Sequence, residues 1–210
     1  MYTLYYSPGA CSMAPHVLLN ELNVPFQTQK TDVHHGDGQK PEFLKLNPRG
    51  QIPVLVEDDF VIREGAAIMI YLMDKHQSPL LPKSGKERAA ALEWLCFGNA
   101  SLHPAYGKVF FILRNITDKA AQEQAFKAAL AQINKLWAEV DARLAKNKYL
   151  CGNNFTAADI LLTVIANWGI TWPAQATIGP NVKRLIKEVS QRPAYQKALK
   201  TEEVEYKAAA

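Results

Sequence analysis

Four short segments carry residue types that could do chemistry. The first is Ser7-Pro8-Gly9-Ala10-Cys11-Ser12-Met13-Ala14-Pro15, which places a cysteine where a β-rich run gives way to a helical one. A thiol at a helix N-terminus faces unpaired backbone N–H groups and the positive end of the dipole, and both favour the thiolate. No resolving thiol follows, so Cys11 would exchange with an external thiol rather than cycle through its own disulfide. A small unreactive residue packed under a turn is the plain alternative. The second segment is Asn47-Pro48-Arg49-Gly50-Gln51-Ile52-Pro53-Val54-Leu55. Pro53 directly before a short apolar strand donates nothing to a sheet at that point. If its peptide bond is cis, Ile52 offers its N–H and C=O outward, ready to pair with an extended peptide.

The third segment is Arg63-Glu64-Gly65-Ala66-Ala67-Ile68, at a strand-to-helix junction. The helix start supplies donors for a carboxylate, Gly65 permits close approach, and Glu64 can bind an ammonium group. One site would then suit both ends of an α-amino acid, although a glutamate in a first helical turn also serves the dipole alone. The fourth is Leu102-His103-Pro104. Pro104 should remove the hydrogen bond to the carbonyl of Ala100 and kink a helix there, turning His103 toward a cleft. A lone helical histidine is otherwise a satisfied core or boundary residue.

The elements that must position these residues fall into two textures. Up to residue 78 short β-like and helical runs alternate. Thr3 to Tyr6 reads as a strand, Ser12 to Asn23 as a helix and Phe26 to Val33 as a polar edge strand. Pro41 to Asn47 reads as a short helix, Val54 to Val56 and Phe60 to Ile62 as a hairpin of buried strands, and Ala66 to Lys75 as a helix. The order is βαβαββα. Pro79, Pro82 and Gly85 mark a linker over 79–86, and from 87 to 210 no β-like run survives. Helical spacing is carried by Leu92 to Tyr106, Phe126 to Leu144 and Val182 to Val189. A further helix opens at Asn154-Phe155-Thr156-Ala157-Ala158-Asp159, where Thr156 and Asp159 form a capping box and Phe155 can staple onto Ile160.

Composition narrows the partners. The 210 residues carry 24 Lys+Arg against 20 Asp+Glu, a net +4 whose cations are scattered, which suits a small anionic ligand and argues against nucleic acid. No apolar stretch approaches the roughly 18 residues of a membrane helix, and the N-terminus does not read as a signal peptide, so a cytoplasmic, membrane-free protein is expected. Three cysteines without metal-like spacing predict neither a disulfide framework nor a metal site.

Together the four segments resemble the glutathione S-transferase family, most closely its bacterial beta class. The likeness lies in the ordered set Pro8-Gly9-Ala10-Cys11-Ser12, Asn47-Pro48-Arg49-Gly50-Gln51-Ile52-Pro53 and Glu64-Gly65-Ala66-Ala67-Ile68, and continues through Glu93-Trp94-Leu95, Leu102-His103 and Phe155 to Asp159. The resemblance implies a thioredoxin-like domain followed by an all-α domain, a homodimer, and glutathione as co-substrate with no cofactor. It also implies that Ile52 pairs with the cysteinyl backbone of glutathione across Pro53 in the cis form, and that Glu64 and Gly65 hold the γ-glutamyl end. Cys11 and His103 would lie beside the glutathione sulfur, with Gln51 and Ser101 counted among the glutathione contacts. Ser12 and Tyr6 are the other candidate thiol activators.

Departures from the beta-class pattern leave the glycyl end open. The usual loop lysine has no match beside His34-His35-Gly36, so His35 is the expected replacement and Arg49 the second choice; Pro104 and Cys96 stand where a lysine and an asparagine are usual. The expected activity is addition of the glutathione thiolate to an electrophilic, largely apolar substrate, a detoxifying conjugation, with Tyr106 and Phe110 against that substrate. Thiol-disulfide exchange through Cys11, and a non-catalytic ligand-binding role, are the alternatives.

Overall fold

The computed structural model describes residues 1–209, leaving Ala210, the last position of the expected helical domain, outside. Four strands, β1 (Tyr2–Tyr6), β2 (Phe26–Lys30), β3 (Val54–Glu57) and β4 (Phe60–Arg63), form one sheet in the order β2-β1-β3-β4. β1 pairs in parallel with β2, Leu4 opposite Thr28, and antiparallel with β3, Leu4 opposite Leu55. Leu4 and Leu55 are fully buried at the sheet centre. β2 is an edge, as the polar residues on both its faces predict, but it stops at Lys30 rather than Val33. Beyond it the Asp32 carboxylate accepts from the N–H groups of His34 and His35 and folds them into a tight turn. β4 is the other edge, and Phe60 there is 47% exposed, so the hairpin is not buried on both strands as expected.

Helix α1 (Met13–Glu21), the short α2 (Pro41–Leu46) and α3 (Gly65–Lys75) complete the first domain. Val17, Leu18, Ile68 and Leu72 are wholly removed from water, which supplies the burial that holds sheet and helices together. The second domain comprises α4 (Gly85–Cys96), α5 (His103–Asn115), α6 (Lys119–Leu144), α7 (Ala157–Ala166), α8 (Pro180–Ser190) and α9 (Pro193–Glu202). α4 thus begins inside the expected linker. α7 is buried on every face, which makes it the axis of this domain. Asp159 accepts from the N–H and hydroxyl of Thr156 and from the N–H of Leu150, the capping arrangement the sequence predicts. Phe155 lies between the Tyr149 ring and the Arg192 guanidinium, 4.0 Å from its centroid.

The expected distortion at Pro104 coincides with a change of winding. Residues Phe97–Leu102 are wound as a π-helical stretch that runs without a break from α4 into α5, and Pro104, just beyond it, gives that stretch no N–H to accept. Gly98 in that stretch lies so close to α7 that a Cβ would stand 2.8 Å from Leu161 Cδ2. None of the described helices is long and apolar enough to cross a membrane.

Candidate active-site cleft

Sequence predicts that α1 starts beside Cys11, and the structure shows how the loop before it is held. The Ser12 hydroxyl accepts from the N–H of Ser7 and donates to its carbonyl, closing Ser7 to Ser12 into a ring. Ser12 is fully buried by this role and does not line the cleft, so it has no free donor for a thiolate there. The second domain grips the same loop. Glu202 of α9 accepts from the N–H of Gly9 at 2.9 Å and lies 2.7 Å from His16 Nδ1, while the Trp168 indole donates to the carbonyl of Gly9. Arg192 adds a two-pronged pair to Glu21 across the same domain contact.

The loop opens on a cleft of about 660 Å³ between the domains, within the roughly 300–1,000 Å³ of small-molecule sites. Cys11 lines it, with its Sγ 3.6 Å from the carbonyl of Ile52. The N–H groups of Cys11 and Ser12 pull the thiol toward ionisation, but burial outweighs them and pushes it up to about 11. The residue as a whole is only half-buried, yet its thiol is protonated at neutral pH, contrary to the thiolate expected at a helix N-terminus.

Facing Cys11 is the Asn47–Pro53 segment. The Asn47 side chain donates to the carbonyl of Gln51 and accepts from the N–H of Arg49, and Gly50 turns the chain at a φ of 65°. The Ile52–Pro53 bond is cis, and Gln51, Ile52 and Pro53 all line the cleft. Glu64 and Gly65 line it too, at the entry to α3. Glu64 holds a φ of 70°, a conformation a non-glycine residue rarely keeps unless its surroundings impose it. Its carboxylate is exposed and pairs with Arg49 at 2.8 Å.

From the second domain come His103 and Phe110. His103 packs edge-on to Trp168, and burial lowers its pKa against a smaller opposing effect of Glu64, so the imidazole is neutral at pH 7. Several expected residues lie elsewhere. Tyr106 is fully buried, its hydroxyl accepting from Trp137 and pushed up to about 12 by burial, and it does not line the cleft. Tyr6 packs on His16 behind the sheet, where burial raises its pKa. Ser101 is exposed outside the cleft. His35 pairs with Asp32 in solvent, and it is His34 that reaches the cleft. Cys96, which stands where the beta-class pattern has an asparagine, is exposed and does not line the cleft.

The structure adds Arg114 and Trp168 to the wall. Arg114 follows His103, Gly107 and Phe110 at helical spacing, a signal present in the sequence. Trp168 lies in the irregular segment after α7, where no periodicity points to it. The cleft therefore offers groups for both ends of an α-amino acid at Glu64 and Gly65, a chain segment along its wall at Gln51 and Ile52, backbone donors near Cys11, and an aromatic wall.

Comparison with known proteins agrees with this geometry. Residues 1–74 match the model of the glutathione S-transferase N-terminal domain and residues 69–193 that of the C-terminal domain. Glutathione S-transferase GST-4.5 of Xanthomonas campestris is 33% identical over 169 residues, covering 79% of this chain and 81% of that protein. The solved glutathione S-transferase of Xylella fastidiosa superposes with a TM-score of 0.89 at 27% identity, over 98% of this chain and 100% of that one. A sphingomonad glutathione S-transferase solved with glutathione bound gives 0.81 at 32% identity, over 97% of this chain and 100% of that one. With both domain models matched and the cleft assembled between them, the chain belongs to the glutathione S-transferase family.

Proposed function

We propose that the protein binds glutathione in this cleft and adds its thiolate to an electrophilic second substrate, with Cys11, His103, Ile52, Glu64 and Gly65 in the roles their family resemblance implies. One observation carries the reading: Glu64 in its rare backbone conformation, Gln51 and Ile52, and Cys11 converge from separate chain segments on one cleft whose opposite wall holds His103, Phe110 and Trp168. The γ-glutamyl ammonium and carboxylate would lie at Glu64 and the start of α3, with the cysteinyl backbone along Ile52. The sulfur would then meet the N–H groups of Cys11 and Ser12 and neutral His103. Lowering its pKa by about two units from a free value near 8.5 raises the thiolate from a few per cent to most of the population at pH 7. The cleft adds proximity to the electrophile. The protonated Cys11 thiol serves as a neighbour and donor to that sulfur and not as the nucleophile, which disfavours exchange through Cys11.

The beta-class assignment rests on Cys11 and His103 sharing the cleft. A homodimer is supported by the exposed Phe60 on edge strand β4 beside Tyr71, and a reducing cytoplasmic setting by three free cysteines. Retention on immobilised glutathione, elution by free glutathione and turnover of chlorodinitrobenzene test the reading. Retention without turnover would make this a ligand-binding member, and failure of both would overturn it.

A further inference from the structure

We propose that Arg114 and His34, facing each other across the mouth of the cleft, form a clamp for a substrate carboxylate, so that the helical domain reads an acidic group on what the first domain binds. The proposal rests on the conjugation reading and deepens it. Arg114 stands in the last turn of α5, where a cation ordinarily serves only the helix dipole. Here its Nη2 reaches to 3.4 Å from Nδ1 of His34, on the turn that follows β2 in the other domain, while the guanidinium lies 5.9 Å from the Phe110 ring centre. Both side chains line the cleft and both are exposed, so they are free to part around a ligand.

The charges of the cleft assign the partner. Among its described lining residues Glu64 is the one carboxylate, and Arg49 already pairs with it. Arg114 is the remaining arginine, and no carboxylate pairs with it among the described residues. Its contact with His34 is a poor match, because the imidazole offers a single acceptor to a fork of donors, whereas a carboxylate accepts two parallel bonds. A bound α-amino acid end at Glu64 and α3 brings its own ammonium and carboxylate together and leaves Arg114 unanswered. The group that answers it is a second carboxylate, carried either by the glycine of glutathione or by an acidic electrophile whose apolar part packs on Phe110.

Matched acidic and neutral probes separate the two sources. Wild type, Arg114→Gln and Arg114→Lys are compared for calorimetric binding of glutathione against its glycyl ethyl ester, and for turnover of chlorodinitrobenzoate against chlorodinitrobenzene. The expected result is that Arg114→Gln weakens one acidic probe by roughly tenfold or more relative to its neutral counterpart, with partial recovery in Arg114→Lys. Loss confined to the glutathione pair assigns the glycyl carboxylate, and loss confined to the electrophile pair assigns an acidic second substrate. Equal shifts within both pairs, or none, overturn the clamp. A wild-type protein that binds glutathione but turns over neither electrophile overturns conjugation while the calorimetric pair still decides the clamp; one that does neither overturns both.

Discussion

Cys11 should be the slow thiol of this protein, and its slowness should have a particular pH signature. Burial pushes its pKa from 9.0 to about 11, against the pull of its own N–H and that of Ser12. Two units make the thiolate about a hundredfold scarcer than in an ordinary cysteine at any pH below both values. At pH 8 about one Cys11 in a thousand is ionised, and alkylation runs through the thiolate. Timed treatment with iodoacetamide, followed by peptide mass analysis, should label exposed Cys96 first. Cys11 should lag a free cysteine peptide, treated in parallel, by about a hundredfold. Shielding alone could also slow the reaction, but a shielded thiol of ordinary pKa stops accelerating near pH 9. Cys11 should instead keep gaining about tenfold per unit to the limit of the protein's stability. A Cys11 rate that levels off at or below pH 9 would refute the reasoning and restore Cys11 as a nucleophile. The same logic expects Cys11→Ser to retain part of the conjugating activity.

Further outcomes follow from the same contacts. Tyr106→Phe leaves the buried Trp137 N–H without its acceptor and should cost about 1–3 kcal/mol in urea unfolding. It should leave the KM for the electrophile unmoved, whereas Phe110→Ala raises that KM. Arg192→Ala strips the half-buried Glu21 carboxylate of both its bonds and removes the stacking on Phe155, a loss of about 1–2 kcal/mol that Arg192→Lys does not fully recover. Asp159 gives a pH test. Burial lifts its carboxyl from 3.8 to about 6, so between those values the folded chain keeps a proton that the unfolded chain has lost. Its contribution to stability is therefore fullest below about pH 4 and falls by up to about 3 kcal/mol as pH rises through about 6. Asp159→Asn cannot titrate there, so unfolding midpoints measured across that window should shift in its favour as pH rises.

Much of the fold was legible because its signals are local. Polar residues on both faces of Phe26 to Lys30 mark an edge in the first domain, and the capping residues Thr156 and Asp159 of the second lie within one turn, so neither needs knowledge of the rest of the chain. Cys11, Ile52, Glu64 and His103 reached the same cleft from motifs that each fix a backbone junction. What misled was direction and depth. Tyr106 follows His103 by three residues, close enough to share its face, yet it turns inward to Trp137 while Phe110 and Arg114 stay on the cleft side. His34 and His35 are adjacent, and only the Asp32 cap decides which one faces the cleft. The helix N-terminus at Cys11 was legible as well, but the burial that outweighs it is a property of the assembled domains.

That last point extends to the position of the Cys11 loop itself. Nothing local in Thr201-Glu202-Glu203 marks a buried carboxylate, although Tyr195, Ala198 and Leu199 put an apolar stripe on the same face of α9. Yet Glu202 is 2% exposed, and a carboxylate that deep is tolerated only where hydrogen bonds replace its lost water. Those bonds come from Gly9 and His16, nearly the full length of the chain away, and the Trp168 indole fixes the other side of the Gly9 peptide. The first domain thus carries the family motifs, but the N–H groups that would meet a bound sulfur are held in place by the second. Substitutions in α9 should for that reason act on the chemistry of the cleft without touching any ligand in it.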